Sequence, residues 1–219
     1  MSYDNLSYGG GVINLPTETF VNLPKEKKSK ILEAIKNEFA RVPFEKVSIN
    51  KIVQDADISR GSIYMYFQDK KDMLSCVLFS FHDEIMSTIK ESFSQNSGDI
   101  FAVFSDILKS TAEFGTAKEN LAFCMNIFSN QTVQNDILLQ CESRIMKKDY
   151  FDWFKKHVDI KKLNLKSPDD VYDIMDILIS VTQKATVDIF LHIEEKNEIL
   201  EEYKNKITIL QRGMLKENL

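Results

Sequence analysis

The apolar residues Leu74, Leu78, Phe81, Ile85, Ile89 and Phe93 recur at steps of three or four. That is the period of one helix face, and a strand, which alternates every second residue, cannot bury such a set. Ile31, Ile35 and Phe39 keep the same spacing further upstream. Only 7 Gly and 4 Pro punctuate 219 residues, while 15 Phe and 8 Met supply bulk, so the chain reads as all-α and long enough to bury a real core.

Start and stop signals divide this helical text. Residues 1–18, with the run Gly9-Gly10-Gly11, read as a flexible leader. A helix is expected from Pro24, acceptable in a first turn, to Arg41-Val42-Pro43. Ser48 then stands at an N-cap position before Ile49, Ile52, Val53 and Ala56, and Ser59 can cap a short helix from Arg60 to about Phe67. Two helices of about two turns, joined by Ala56-Asp57-Ile58, have the proportions of a helix-turn-helix. Asp69 caps the long helix through Phe93, which ends in the polar stretch Ser94 to Gly98. Further helices are expected over about 99–116, 120–129, 131–157, 168–193 and 197–213, with Ser167 as a capping hydroxyl and Pro168 at a first helical position. A three-helix head over 19–68 is thus followed by a body of about six helices over 69–219.

Charge is distributed unevenly. Residues 22–71 hold 11 Lys or Arg and 7 acids, a balance of +4 in a chain of net charge -5, so the remainder carries -9. A basic module on an acidic body suits a protein that meets a polyanion at one end. Cys76, Cys124 and Cys141 are odd in number and too far apart for a metal knuckle, and read as reduced thiols with no disulfide. No apolar run reaches the roughly 18 residues of a membrane span, and no basic segment leads into an apolar stretch at the N-terminus. A cytoplasmic protein with no membrane association is expected.

The stretch Val47 to Lys70 carries the chemistry. A recognition helix presents its N-terminal side chains to base edges in the major groove, which selects Arg60 and Ser62, with Arg able to engage both acceptors of a guanine. Tyr64 and Tyr66 combine a ring for sugars and thymine methyls with a hydroxyl for phosphate. Ser48 and Ser59 cap their helices and can reach phosphate, Asn50 lies in the first turn of the first of them, and Gly61 has no side chain to hold it off the DNA backbone. Lys70 begins the next helix, where amides and an ammonium together favour an anion. The same residues also have structural uses: Ser48, Ser59 and Asp69 are caps first, and Ile52, Ile63 and Phe67 are expected in the head's core.

Ser59-Arg60-Gly61-Ser62-Ile63-Tyr64 followed by Tyr66-Phe67, with Phe39 in the entry helix, the Ser48-capped helix and Lys70 before an apolar helix, resembles the DNA-binding head of the TetR family of tetracycline-repressor-like regulators. The resemblance covers about Phe20 to Leu78. One position departs from it: Asp57 stands where the family usually has Gly.

The resemblance implies a homodimer on a double-stranded, palindromic DNA operator, joined through the last two long helices. Their seams are Val171, Ile174, Leu178, Val181 and Ala185, and Leu200, Tyr203, Ile207 and Leu210, although such seams also suit burial in the chain's own core. It further implies a small-molecule effector of unknown identity in a mostly apolar pocket. The candidates are Phe101, Phe104, Phe114, Phe123, Phe128, Tyr150, Phe154, Tyr172 and Met175, with Gln183 or Glu113 as a polar handle; most of them suit ordinary core better. Repression relieved by that ligand is the family's default.

Two rival classes remain at this stage. His82, His157 and His192 follow Phe79, Phe154 and Ile189 by three residues, so the Glu-x-x-His pattern of di-iron bundles is absent, as are a nucleophile elbow, a zinc-helix motif and a phosphate loop. An enzyme is not expected, nor a metal or cofactor. A helical adaptor, or a non-specific DNA-binding protein without an effector, is the alternative.

Overall fold

The computed structural model describes residues 17–133 and 148–216, and they fall into two compact units. The first holds residues up to 83 together with 118–133, and the second holds 84–117 with 148–216. A border after residue 68 is therefore not where the chain divides. The first unit takes the start of the expected body and reclaims a helix from beyond residue 117.

In the first unit α1 (Glu18–Val21), α2 (Lys25–Arg41), a 3-10 turn (Phe44–Lys46), α3 (Ile49–Ala56), α4 (Arg60–Tyr66) and α5 (Lys70–Ser80) follow in order, and α8 (Lys118–Phe128) and the single turn α9 (Gln131–Val133) return to them. α2 is the spine, packed against α3, α5 and α8. Its Ile31, Ile35 and Phe39 are buried with Ile52, Ala56, Ile63, Phe67, Met73, Leu74 and Val77. Each fully buried large apolar side chain contributes about 1.5–3 kcal/mol, which is how helices as short as α3 and α4 are held.

The helix expected to run unbroken from Asp69 to Phe93 instead comprises α5 and α6 (His82–Gln95), parted at Phe81. Neither Pro nor Gly causes the break. Ser80 Oγ donates to the Val77 carbonyl at 2.6 Å, and hydroxyl back-bonding of this kind competes with the backbone ladder and bends helices.

The second unit contains α6 from residue 84, α7 (Ile100–Thr116), α10 (Lys148–His157), α11 (Asp170–Leu191) and α12 (Lys196–Met214). α7 packs on α11 and α11 on α12, and Phe101, Val103, Phe104, Leu108, Met175 and Leu178 are among the core they share. The buried Tyr203 hydroxyl pairs with that of Thr182 at 2.8 Å, and Thr182 donates to the Leu178 carbonyl at 2.7 Å. Between α6 and α7, Asp106 accepts from both Ser92 and Asn96.

Gly98 joins these two helices with φ +79°, and a Cβ there would lie 2.7 Å from the His157 carbonyl oxygen and 2.8 Å from the Asp159 nitrogen. Asp159 donates to the Gly98 carbonyl at 2.9 Å. Only glycine fits both the backbone conformation and the approach. Pairing of strand type among the described residues is limited to the bridge Leu163–Leu215.

α11 begins two residues later than its sequence suggests. Its N-cap is Asp169 rather than Ser167, and Pro168 lies outside the helix, because Asp170 Oδ2 accepts the amides of Lys166 and Ser167 at 2.6 and 3.0 Å and folds the approach into a turn. No helix among the described residues is long and apolar enough to cross a membrane.

Candidate nucleic-acid interface

α3 and α4 are built from their caps. Ser48 accepts the Lys51 amide and Ser59 accepts that of Ser62 at 3.0 Å, supplying acceptors for N–H groups that a helix start leaves unpaired. The hydroxyls of Ser59 and Ser62 lie 2.8 Å apart, so both serines at the head of α4 are occupied with each other as well as open to a ligand. Between the helices Asp57 is left-handed, φ 55° and ψ 51°, the conformation that makes Gly usual at this turn. Its carboxylate lies 3.4 Å from the Lys30 ammonium.

α4 has an inner and an outer face. Ile63 and Tyr66, with the flanking Phe67, are buried, while Arg60, Gly61, Tyr64, Met65 and Gln68 are exposed. The Arg60 guanidinium lies 6.0 Å from the centre of the Tyr64 ring, at the outer reach of a cation–π contact. The outer face thus offers a fork of donors, a phenol and a thioether from one short, rigid support.

The chain before α2 holds the far end of α4. Thr17 donates its amide to the Tyr66 carbonyl at 3.1 Å and its hydroxyl to the Met65 carbonyl at 2.7 Å. Phe20, buried, places its ring 5.8 Å from that of Tyr66 and 4.9 Å from that of Phe67. A seven-residue helix is marginal alone, and this brace satisfies two of its last carbonyls while burying its inner aromatics. Thr17 and Glu18, expected in a flexible leader, belong to the head.

The start of α3 is held by a buried carboxylate. Glu38 takes two hydrogen bonds from Arg41, at 2.7 and 2.8 Å, and the Ser48 amide at 2.8 Å. Burial alone would raise its carboxyl pKa, but the Arg41 and Ser48 donors outweigh that and bring it below the ordinary value. Lys70 donates to the Glu45 carbonyl at 3.3 Å, which carries its ammonium to the 3-10 turn just ahead of Ser48.

The head therefore gathers Ser48, Asn50, Ser59, Arg60, Gly61, Ser62, Tyr64 and Lys70 on two capped helices and the start of α5, each exposed or half-buried. Tyr66 is the correction. Its ring is core, because burying Ile63 and Phe67 brings position 66 to the same inner face. Met65 takes the outward place, and the sequence reading passed over it: the signal available was its position between two tyrosines, one of which had to turn inward.

The other expected sets fall differently. Phe101, Phe104, Phe154 and Met175 are buried in the core of the second unit, with Tyr172 packed against it; Phe114 and Gln183 are half-buried there. Phe123 and Phe128 lie on α8 in the first unit, so the list does not line one unit, and the side chain of Tyr150 is outside the described residues. Of the seams assigned to a partner, Val171, Ile174, Leu178, Ala185, Tyr203 and Ile207 are buried in the chain's own core, and Val181, Leu200 and Leu210 pack against it. The inward face of each helix is the more regularly apolar one, and this chain uses it for itself. Large apolar side chains exposed on α11 and α12 are Ile177, Leu191 and Ile209.

The two described thiols lie in the interior. Cys76 and Cys124 are buried and unpaired with each other, and burial pushes their pKa up to about 12 and about 11; Cys141 lies outside the described residues. Among the described residues no three His, Cys, Asp or Glu side chains gather as metal ligands.

Residues 31–77 match the family model described as bacterial regulatory proteins, tetR family, and residues 99–214 match that of the tetracyclin repressor-like C-terminal domain. An HTH-type transcriptional regulator of Staphylococcus aureus (strain USA300) is 23% identical over 184 residues, covering 83% of this chain and 90% of the relative. The uncharacterized HTH-type transcriptional regulator YfiR of Bacillus subtilis (strain 168) is 28% identical over 88 residues, 40% of this chain and 42% of that protein; the chain spans less than half the length of this relative. A TetR-family regulator structure from Syntrophomonas wolfei superposes with a TM-score of 0.60 at 21% identity, covering 89% of this chain and 99% of the other. SmeT, the repressor of the Stenotrophomonas maltophilia multidrug efflux pump SmeDEF, does so with 0.56 at 13% identity, covering 90% and 93%. These structures share the fold. A helix-turn-helix with an outward Arg60–Tyr64 face, followed by a C-terminal match over more than half of the sequence, places the chain in the TetR family of DNA-binding transcriptional regulators.

Proposed function

We propose that the protein is a homodimeric, sequence-specific repressor that sits on a palindromic operator and leaves it when a small, largely apolar ligand binds the C-terminal domain. The outward face of α4 is the observation that carries this reading. Arg60 and Tyr64 stand exposed on a helix whose other side is anchored by Ile63, Tyr66 and Phe67, an arrangement suited to base edges in the major groove. Ser48 and Lys70 frame it as phosphate contacts, with Asn50, Ser59, Gly61 and Ser62 completing the contact set. Repression and ligand release are inferred from the family's default mode. The protein would act in the cytoplasm, where the chromosome lies.

Two copies would place their α4 helices on successive turns of the groove, roughly 34 Å apart. The exposed Ile177, Leu191 and Ile209 on α11 and α12 are the apolar positions available for pairing. A ligand shifts the equilibrium only by its differential affinity for two conformations, so ligand and operator must weaken each other's binding by the same factor.

Selection of bound fragments from genomic DNA, followed by gel shift at stated salt, tests the reading. Specific binding that weakens by about 1–3 kcal/mol on Arg60→Ala, and again on Tyr64→Ala, is the expected result. Binding with no sequence preference, unaffected by either change, would leave a non-specific binder or a helical adaptor.

A further inference from the structure

α2 ends with a problem that its own sequence cannot solve. The carbonyl of Phe39 would ordinarily accept the amide four residues on, but that residue is Pro43, which has no N–H to give. The carbonyl of Ala40 belongs to the same last turn. A side chain from more than eighty residues away fills both places: Asn126 Nδ2, on α8, donates to Phe39 O at 3.0 Å and to Ala40 O at 2.9 Å. Both partners are carbonyl oxygens, so the amide must present its nitrogen.

Two more asparagines extend this seat. Asn120 Oδ1 accepts from Lys36 Nζ at 2.5 Å and Asn130 Nδ2 donates to Glu45 Oε1 at 2.7 Å, while Phe123 and Ile127 are buried between them and the Phe123 ring meets that of Phe81 at 6.2 Å. α8 thus belongs to the unit that carries the recognition helix.

The places it touches are not arbitrary. Phe39 and Ala40 lie between Glu38 and Arg41, the pair that holds the Ser48 amide. Glu45, gripped by Asn130, offers its backbone carbonyl to Lys70. Ser48 and Lys70 are the two flanking phosphate contacts proposed above, and the hydrogen-bond partners of Asn126 and Asn130 are Phe39, Ala40 and Glu45 rather than Arg60 or Tyr64.

We propose that Asn126, supported by Asn130, is a positioning residue for DNA binding: it caps the end of α2 across the fold, and so fixes the two groups that grip the phosphate backbone. The inference rests on the DNA-binding reading. It separates affinity from specificity, because phosphate contacts position and base contacts specify. Loss of the cap loosens the grip on every sequence alike.

The experiment uses the full-length protein and a panel of operator fragments with single base changes. Asn126→Asp keeps the shape but cannot donate to a carbonyl, and Asn126→Gln, milder, moves the donor by one carbon. Expected are roughly tenfold weaker binding for Asn126→Asp, a smaller loss for Asn126→Gln, an unchanged ranking of the operator variants, and less than additive loss when Asn126→Asp is combined with Ser48→Ala. Faster amide hydrogen exchange over residues 39–48 accompanies them.

A changed ranking of operator variants, full additivity with Ser48→Ala, or unaltered affinity in both Asn126 variants overturns the proposal. If Asn126→Asp fails to fold, Asn126→Gln carries the same comparisons. A wild-type protein with no specific operator would sink the functional reading instead, and hydrogen exchange over 39–48 would still decide whether Asn126 holds the end of α2.

Discussion

Glu38 Oε1 accepts the backbone N–H of Ser48 at 2.8 Å while the same carboxylate is bound by Arg41 through two further hydrogen bonds. A group that ties the end of α2 to the start of α3 from inside the protein is worth more as an ion than as a neutral acid. Its folded carboxyl pKa is lowered, so the stabilisation is fully present above the unfolded value, about 4.3 for Glu, and is lost as pH falls through the folded value. Glu38→Gln should cost about 1–3 kcal/mol near neutrality. Urea unfolding at a series of pH values should then show the wild type losing stability more steeply than the variant below about pH 4.3. Parallel profiles would mean that Glu38 is not the titrating support of Ser48.

The brace on α4 predicts an effect on recognition from residues remote in sequence. Thr17→Val removes the hydroxyl that meets the Met65 carbonyl at 2.7 Å and should cost about 1 kcal/mol, read as faster hydrogen exchange in α4 with little change in α11 or α12. Phe20→Ala empties a fully buried site and should cost about 3–5 kcal/mol. Should both leave the exchange rates of residues 63–66 untouched, α4 is held without the segment before α2.

Much of this was readable in advance, and the failures have physical causes. Ser48, Ser59 and Asp69 act as caps because a hydroxyl or carboxylate before an apolar run has one good local use. Local chemistry of that kind is written in adjacent residues. The brace from Thr17 and Phe20 and the Asn126 contact with the end of α2 join residues 46 to 87 positions apart, and nothing beside either partner signals it. Position 66 went wrong for a third reason: a run of four aromatic or sulfur side chains, Tyr64 to Phe67, marks a helix with two faces without saying which side chain turns inward. The seams on α11 and α12 were correct as apolar stripes, but periodicity alone does not tell a chain's own core from a partner's.

Asp57 tests how much of the turn depends on a residue type. It is held at φ 55°, where an L-residue pays about 1–2 kcal/mol and Asp and Asn somewhat less. The ion pair with Lys30 is exposed on both sides and offsets little of that cost. Asp57→Gly should therefore be neutral or stabilising by up to about 1 kcal/mol, relief of the backbone being partly cancelled by the freer unfolded chain. Asp57→Val should lose about 1–2 kcal/mol. Thermal unfolding of the two variants decides it, and a valine form as stable as the wild type would show that the turn relaxes away from the left-handed conformation.

Pairing is where burial within one chain bears most directly on function. Val171, Met175 and Leu178 are fully covered by the chain's own core, so they are closed to a second copy unless the body opens. Ile177 and Ile209 remain 39% and 64% exposed, which leaves them open to a second copy. Replacing both by Glu should leave the circular dichroism spectrum intact, since neither side chain is buried, yet shift light-scattering mass toward a single chain. Operator binding should weaken with it, because one head on one half-site lacks the gain in effective concentration that linkage to a second provides. A double variant that remains dimeric with full affinity would place the seam elsewhere on the surface; one that becomes monomeric with full affinity would show that a single outward face of α4 is enough to hold the DNA.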